Sequence, residues 1–446
     1  MEAKLWRRVL AIAVCVCGLA LVGSSSASAA ACTLIQGAGS SLQLISQTEV
    51  WAPLWKADKS PSCGAEVNVT YRASSSGKGK AQWGSTSGKL TRESANELAL
   101  TEMFPAFIGS DTGAGTTQEE KMKTAGGTSI VTVPVEQSAV SVLIHAPLGC
   151  EPEKDTQDPV VSLPLLAQTY LGVLHNFDQL APITWVGLSN CLVDPLLIVR
   201  SSGSGTTAGF KRALGCSDLG TTLKECKNEF EHGEWKKLNE STEESESTNW
   251  PTTVDKAAAT GQELVSKVRE TPSSIGYADL ADARNGSFDV GLWLHIGNLG
   301  DLSWYVIALL ATGVGADEPL SPQASNGESN CGGAKYTEES SKEVGPEKSW
   351  GLVRQTNVHN GKAGEEPSYP ICTLTFDLAW HNYGSPKNTE LGIGYGTGEA
   401  ESVVNYLLWI VNGSANSKVA EKHYGALPKN IQKKTEEGLL KSPIEL

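Results

Sequence analysis

This sequence is short of positive charge: 36 Lys and Arg stand against 50 Asp and Glu, a net charge of −14 at pH 7. That balance excludes a nucleic-acid partner, because a phosphate backbone calls for a basic face. It also means that an anionic ligand would be held by local dipoles and one or two cations, not drawn in by the overall field. Beyond the N-terminus no stretch approaches the ~20 apolar residues that a membrane span needs. Gly-x-Ser-x-Gly and His-Glu-x-x-His do not occur, and Gly77-Lys78-Gly79-Lys80 lacks the hydroxyl residue and glycine spacing of a P-loop. The seven histidines are scattered, and His145 reads as a packed or surface residue rather than a general base. No Cys-x-x-Cys spacing or histidine cluster suggests zinc, and a phosphohydrolase would need metal-ligand clusters that are missing. The reading is therefore a binding protein without metal or cofactor, with an enzyme, such as a phosphohydrolase, as the rival.

What is present begins with residues 1–31, which read as an export signal. Lys4, Arg7 and Arg8 precede an apolar core over 9–22, and small residues with an Ala-x-Ala pattern follow. Cys32, directly after Ala29-Ala30-Ala31, is also a place for a lipid anchor, although the usual leucine three residues before is missing. The location is thus the periplasm or the cell surface. Loss of Cys15 and Cys17 with the signal leaves Cys32, Cys63, Cys150, Cys191, Cys216, Cys226, Cys331 and Cys372 in an oxidising compartment, where disulfides are expected. Spacing alone does not give the pairing. Cys32 and Cys63 each precede a β-like run, so adjacent parallel strands would bring them together.

Along the chain, strands are expected at 33–39, 66–72, 104–109, 130–135, 139–145, 196–200, 275–278 and 371–378. Helices are expected from 41 through 55, near 80–83, and at 118–124, 165–174, 208–214, 261–269, 302–310, 400–411 and 431–440. This alternation implies an α/β protein with parallel sheets. Residues 239–249 read as a solvated acidic loop, and residues 283–367 as a Gly-, Ser- and Glu-rich region of less definite character.

Four small-residue turns follow strand-like runs. They are Gly37-Ala38-Gly39-Ser40-Ser41, Ser75-Ser76-Gly77-Lys78-Gly79, Gly109-Ser110-Asp111, and Arg200 through Thr206. In α/β sheets ligands bind where strands end and helices begin, and the free N–H groups of a helix's first turn favour an anion there. Gly203 and Gly205 allow close backbone approach, Ser204, Thr206 and Thr207 add hydroxyls, and Arg200 offers a two-pronged donor. Together the four turns describe a cage for a small oxyanion.

Those motifs resemble, in order from about residue 34 to 440, the phosphate-binding proteins of phosphate ABC transporters. Gly37 through Leu42 is similar to the family's opening motif, with Ser41 and Leu42 in place of its usual Thr-Phe. Ser76 falls at the ligand serine of the second motif, and Asp111 at the ligand aspartate of the third, Phe107-Ile108-Gly109-Ser110-Asp111. Arg200-Ser201-Ser202-Gly203-Ser204-Gly205-Thr206-Thr207 matches the fourth, implying Arg200, Ser204, Gly205 and Thr206 as ligands. Where the family commonly has an aspartate beside the arginine, this chain has Ser202, which leaves the Arg200 head group without that counter-charge.

The resemblance implies a two-lobed periplasmic-binding-protein-like fold of type II with two crossover strands as hinge. Lobe 1 would hold 32–133 and 372–446, and lobe 2 would hold 134–371, with an extended insertion about 283–367. It implies a monomer that binds inorganic phosphate and delivers it to an ABC permease. An interaction protein on the same fold, using 283–367 as its contact region, is a third reading. Asp111 is the most informative position. A carboxylate facing an anion makes sense when the ligand carries a proton, because a carboxylate only accepts; phosphate qualifies and sulfate does not. Otherwise Asp111 would cap the helix that follows it.

Overall fold

The computed structural model describes residues 34–58, 67–92, 104–153, 159–180, 185–218, 235, 247–291, 294–295, 304–311, 320–337, 350, 353–357, 368–441 and 444–445. The export-signal reading, Cys32 and Cys63 lie outside them, as does most of 239–249. One sheet of eleven strands organises these residues. Its main path is β2 (Val69–Ala73), β1 (Ile35–Gly39), β3 (Phe107–Ser110), β10 (Cys372–Trp380), β4 (Ile130–His145), β8 (Ser274–Asp279), β6 (Leu196–Arg200) and β7 (Lys256–Ala258). Strands β1 to β3 run parallel, as do β6, β7 and β8, but β10 and β8 both lie antiparallel to β4. The sheet is therefore mixed, not parallel throughout.

β4 is the axis of this sheet. All 16 of its residues are buried. β10 pairs with its first part, from Ile130 to Ala139, and β8 with its last part, from Val140 to His145. The sequence splits this stretch in two because Pro134, Glu136, Gln137 and Ser138 interrupt the apolar run. In the fold Pro134, which has no N–H for the ladder, sits where the register against β10 shifts between Thr375 and Phe376. A bulge absorbs the irregularity and the strand continues.

Two hydrophobic cores flank that bulge. One gathers residues within 35–135 and 374–444, together with Ala281, Trp350 and Val353; the other gathers residues within 139–334 and 369–372. Of residues 302–310, expected to be helical, those described form instead the strand β9 (Trp304–Ala311). This strand pairs antiparallel with β4 and parallel with β5 (Val160–Ser162). Neighbours on both edges and burial remove the alternation that marks a half-exposed strand, so an apolar run of this length reads equally as helix or strand. Strand β9 also shows that part of 283–367 belongs to the sheet rather than to an appendage.

Disulfides join Cys150 to Cys191 and Cys331 to Cys372, and Cys216 is disulfide-bonded as well. The second of these fixes the 320–337 segment to the first residue of β10. No described helix is long and apolar enough to cross a membrane.

Candidate functional site

Each of the four turns leaves the end of a strand. With helices α1 (Ala52–Ala57), α3 (Thr116–Gly126) and α4 (Leu163–Tyr170) elsewhere, β1 runs into Ser40-Ser41, β2 into helix α2 (Ser76–Gln82), β3 into Asp111, and β6 through Ser201–Ser204 into helix α5 (Gly205–Asp218). Ser75 starts α2 by accepting from Lys78 N at 3.2 Å, which leaves the Ser76 hydroxyl facing the other turns. Backbone meets backbone here: Gly77 N donates to Gly203 O at 3.0 Å, and a Cβ on Gly205 would come within 2.6 Å of the Asp111 carbonyl carbon. Glycine is needed at 205 for that approach.

The fold brings every residue singled out in the motifs to one place. Ser76 Oγ accepts from Asp111 N at 3.2 Å and from Gly205 N at 3.4 Å. Asp111 Oδ2 accepts from Thr206 N at 3.1 Å and from Thr206 Oγ1 at 2.9 Å. Arg200 Nη1 donates to Ser41 Oγ at 3.3 Å and to Ser204 Oγ at 3.1 Å. Leu42 takes part through its backbone, its N–H donating to Ser40 Oγ at 3.0 Å while its side chain lies in the core. Asp111 does not cap the helix that follows it, which starts at Thr116 behind Gly115. It occupies instead the N-terminus of α5, where unpaired N–H groups and the helix dipole favour an anion.

The arginine carries the distinctive electrostatics. Arg200 is buried, pairs with no carboxylate among the described residues, and has an unpartnered Nε. It is not loose despite Ser202: its Nη2 donates to Ala259 O at 2.5 Å, and Ser202 Oγ donates to the same carbonyl at 3.1 Å. Neutral oxygens thus set the guanidinium without neutralising it. Burial pulls its pKa down, opposed by Tyr277, Asp111, Asp282 and Asp279. Burial also pushes Asp279 up to about 6 and raises Asp282 well above its ordinary range, with Asp279 adding to the latter. One cation near several acids suits an anion that brings a proton better than one that does not.

Some members of the site escaped the sequence reading. Ser40 Oγ donates to Asp111 Oδ1, and Ser41 Oγ also accepts from Gly261 N at 3.1 Å. Gln262 Nε2 donates to Ser41 O at 3.4 Å and to Asp282 Oδ1. Tyr277 accepts from Arg200 N at 3.3 Å and exchanges a hydrogen bond with Thr207 Oγ1 at 2.7 Å. Ser40 stood inside a quoted motif, and the run Ser274-Ile275-Gly276-Tyr277 also falls where the family has similar residues, so both could have been found; Gln262, in the first turn of the helix Gly261–Arg269, carries no local signature. No group of three or more His, Cys, Asp or Glu is placed to hold a metal among the described residues.

No family model matches the chain, and no curated protein does. Solved structures do. A high-affinity periplasmic phosphate-binding protein, PfluDING, bound with phosphate, is 17% identical with a TM-score of 0.57, over 92% of this chain and 96% of that one. The ancestral soluble variant of the human phosphate-binding protein is 16% identical with a TM-score of 0.52, over 90% and 92%. A phosphate-binding protein from Stenotrophomonas maltophilia is 15% identical with a TM-score of 0.50, over 91% and 93%. The chain therefore has the α/β fold of the type II periplasmic-binding proteins.

Proposed function

We propose that this protein is an extracytoplasmic solute-binding protein that captures inorganic phosphate between two lobes and delivers it to an ABC-type permease. The lobes are 32–133 with 372–446, and 134–371; the two hydrophobic cores, which divide near the β4 bulge, support that division. Residues 1–31 serve as the export signal, and the mature chain acts as a monomer. The observation that carries the reading is Arg200, a buried guanidinium with no carboxylate partner among the described residues, set among Ser41, Ser204 and the first N–H groups of α5. A buried charge is costly without a counter-charge, and a tetrahedral oxyanion supplies one.

In this reading Arg200 binds the anion's charge, and the N–H groups of Gly205 and Thr206 turn to the anion from Ser76 and Asp111, which otherwise accept them. Ser41, Ser76 and Ser204 donate hydroxyl hydrogens, and the Thr206 hydroxyl and the Leu42 N–H join them by leaving Asp111 and Ser40, which otherwise accept from them. Asp111 accepts the proton that phosphate retains near neutral pH. Ser41, Ser76 and Asp111 lie in one lobe, and Arg200 through Thr206 in the other, so the ligand favours the arrangement in which both sets meet.

Calorimetric titration of the mature chain with phosphate, sulfate and arsenate tests this. Phosphate binds and sulfate does not. Arg200→Ala weakens phosphate binding by at least ~2 kcal/mol, the cost of losing one partner of a buried charge pair. Asp111→Asn, which can donate, narrows the gap between phosphate and sulfate. Equal binding of the two ions by the unaltered chain, or unchanged phosphate affinity in Arg200→Ala, overturns the proposal.

A further inference from the structure

A cleft adjoins the cage along one face of α5. Gly209, Arg212 and Ala213 form one wall, at the spacing that puts residues on a single helical face. Leu374 and Phe376 of β10 line it from the other side, with Arg354 among the remaining lining residues. Asp111 also lines the cleft. Its carboxylate holds the start of α5, while its carbonyl accepts from Thr373 Oγ1 at 3.2 Å. The cleft and the cage therefore share Asp111 as a common wall.

The donors in this cleft are unevenly committed. Tyr336 donates to Gln137 Oε1 at 2.8 Å, and Gln355 Nε2 is taken up by Asn357 O, Ser368 Oγ and Tyr369 O. Arg212 Nη1 donates to Val353 O at 3.2 Å. Arg354 binds only through its main chain, to Thr337, and its half-buried guanidinium has no hydrogen bond or ion pair among the described residues. Among the described residues Asp111 is the only acidic one lining the cleft. A chain of net charge −14 repels anions at long range, yet this mouth presents the half-buried Arg354 guanidinium between low-dielectric walls, which concentrate its field.

We infer that this cleft is the entrance through which the ligand reaches the cage, a weak oxyanion site where Arg354 gathers phosphate before Asp111 admits it. The inference rests on the phosphate reading above. It divides the labour. Guanidinium groups accept any tetrahedral oxyanion, so the entrance takes phosphate and sulfate alike, and discrimination waits for the carboxylate at its inner end.

Stopped-flow tryptophan fluorescence, with inorganic phosphate added to the mature chain, tests it through rates. Arg354→Ala lowers the association rate constant by about threefold or more at low ionic strength, and the difference vanishes in high salt. Arg354→Lys retains most of the rate, because steering needs charge rather than a planar fork. Kd rises by less than the association rate falls, since Arg354 attracts the anion in passage more than the anion at rest. Millimolar sulfate slows phosphate association in the parent and does so less in Arg354→Ala. Parent-like association in Arg354→Ala overturns the entrance alone. A raised Kd at unchanged association rate overturns it too, placing Arg354 in the cage. A parent that binds no phosphate removes the reading beneath it.

Discussion

Gly205 shows how a single missing Cβ governs the site. An alanine there would meet the Asp111 backbone at 2.6 Å and its Cβ at 2.7 Å. Relieving that overlap by shifting backbone costs about 1–3 kcal/mol, which corresponds to roughly five- to 150-fold in affinity. Gly205→Ala is therefore expected to weaken phosphate binding by that factor in calorimetry, and, because the overlap is present without ligand, to lower the melting temperature by a few degrees as well. Asp377 carries a second prediction. Burial pushes its carboxyl up to about 8 from 3.8, against hydrogen bonds from Gln47 and Gln43. The native chain thus keeps a proton that the unfolded chain releases. This contribution is full below pH ~4 and is lost as pH rises toward 8. Asp377→Asn keeps a neutral group at all pH values, so its melting temperature should gain on the parent's by at least ~2 °C between pH 5 and 9. A gap independent of pH would contradict the buried, protonated state. At this scale the sequence was legible where chemistry and turn coincide, as at Asp111 and Arg200. It was not legible at Gln262, whose role depends on which helix start comes to lie against the Ser41 turn.

Among the elements, helices with clear caps were the easiest to read. The helix Gly261–Arg269 begins at Thr260, whose hydroxyl accepts from Glu263 N at 3.1 Å, and its apolar residues recur at helical spacing. Strands buried on both faces were the hardest, because period-two alternation disappears when neither face meets water. That is why β4 read as two strands and β9 as a helix. The Cys331–Cys372 disulfide could not be read from spacing, since eight cysteines allow many pairings. It ties a segment 41 residues upstream to the start of β10. Closing a loop of that size stabilises by about 4 kcal/mol in the chain-entropy model, and measured losses run ~2–5 kcal/mol. Replacing both cysteines by serine is expected to lower the denaturation midpoint accordingly, with phosphate association nearly preserved at temperatures where the chain remains folded.

For the whole molecule, the α/β class and the convergence of the four turns were legible, and the mixed direction of the sheet was not. Strand direction depends on connections, and the motifs lie only at strand ends. A ligand that binds the folded chain alone stabilises it by RT ln(1 + [L]/Kd), about 2.7 kcal/mol at a hundredfold excess over Kd. Phosphate at that excess is expected to raise the melting temperature measurably, and sulfate at the same concentration is not; equal shifts would point to a general salt effect. β4 has one more consequence. Because one unbroken strand is threaded through both cores, neither half can be peeled off while the other stays whole. Tension drawn between the chain ends loads that strand from both sides, so the molecule should rupture in one event rather than two.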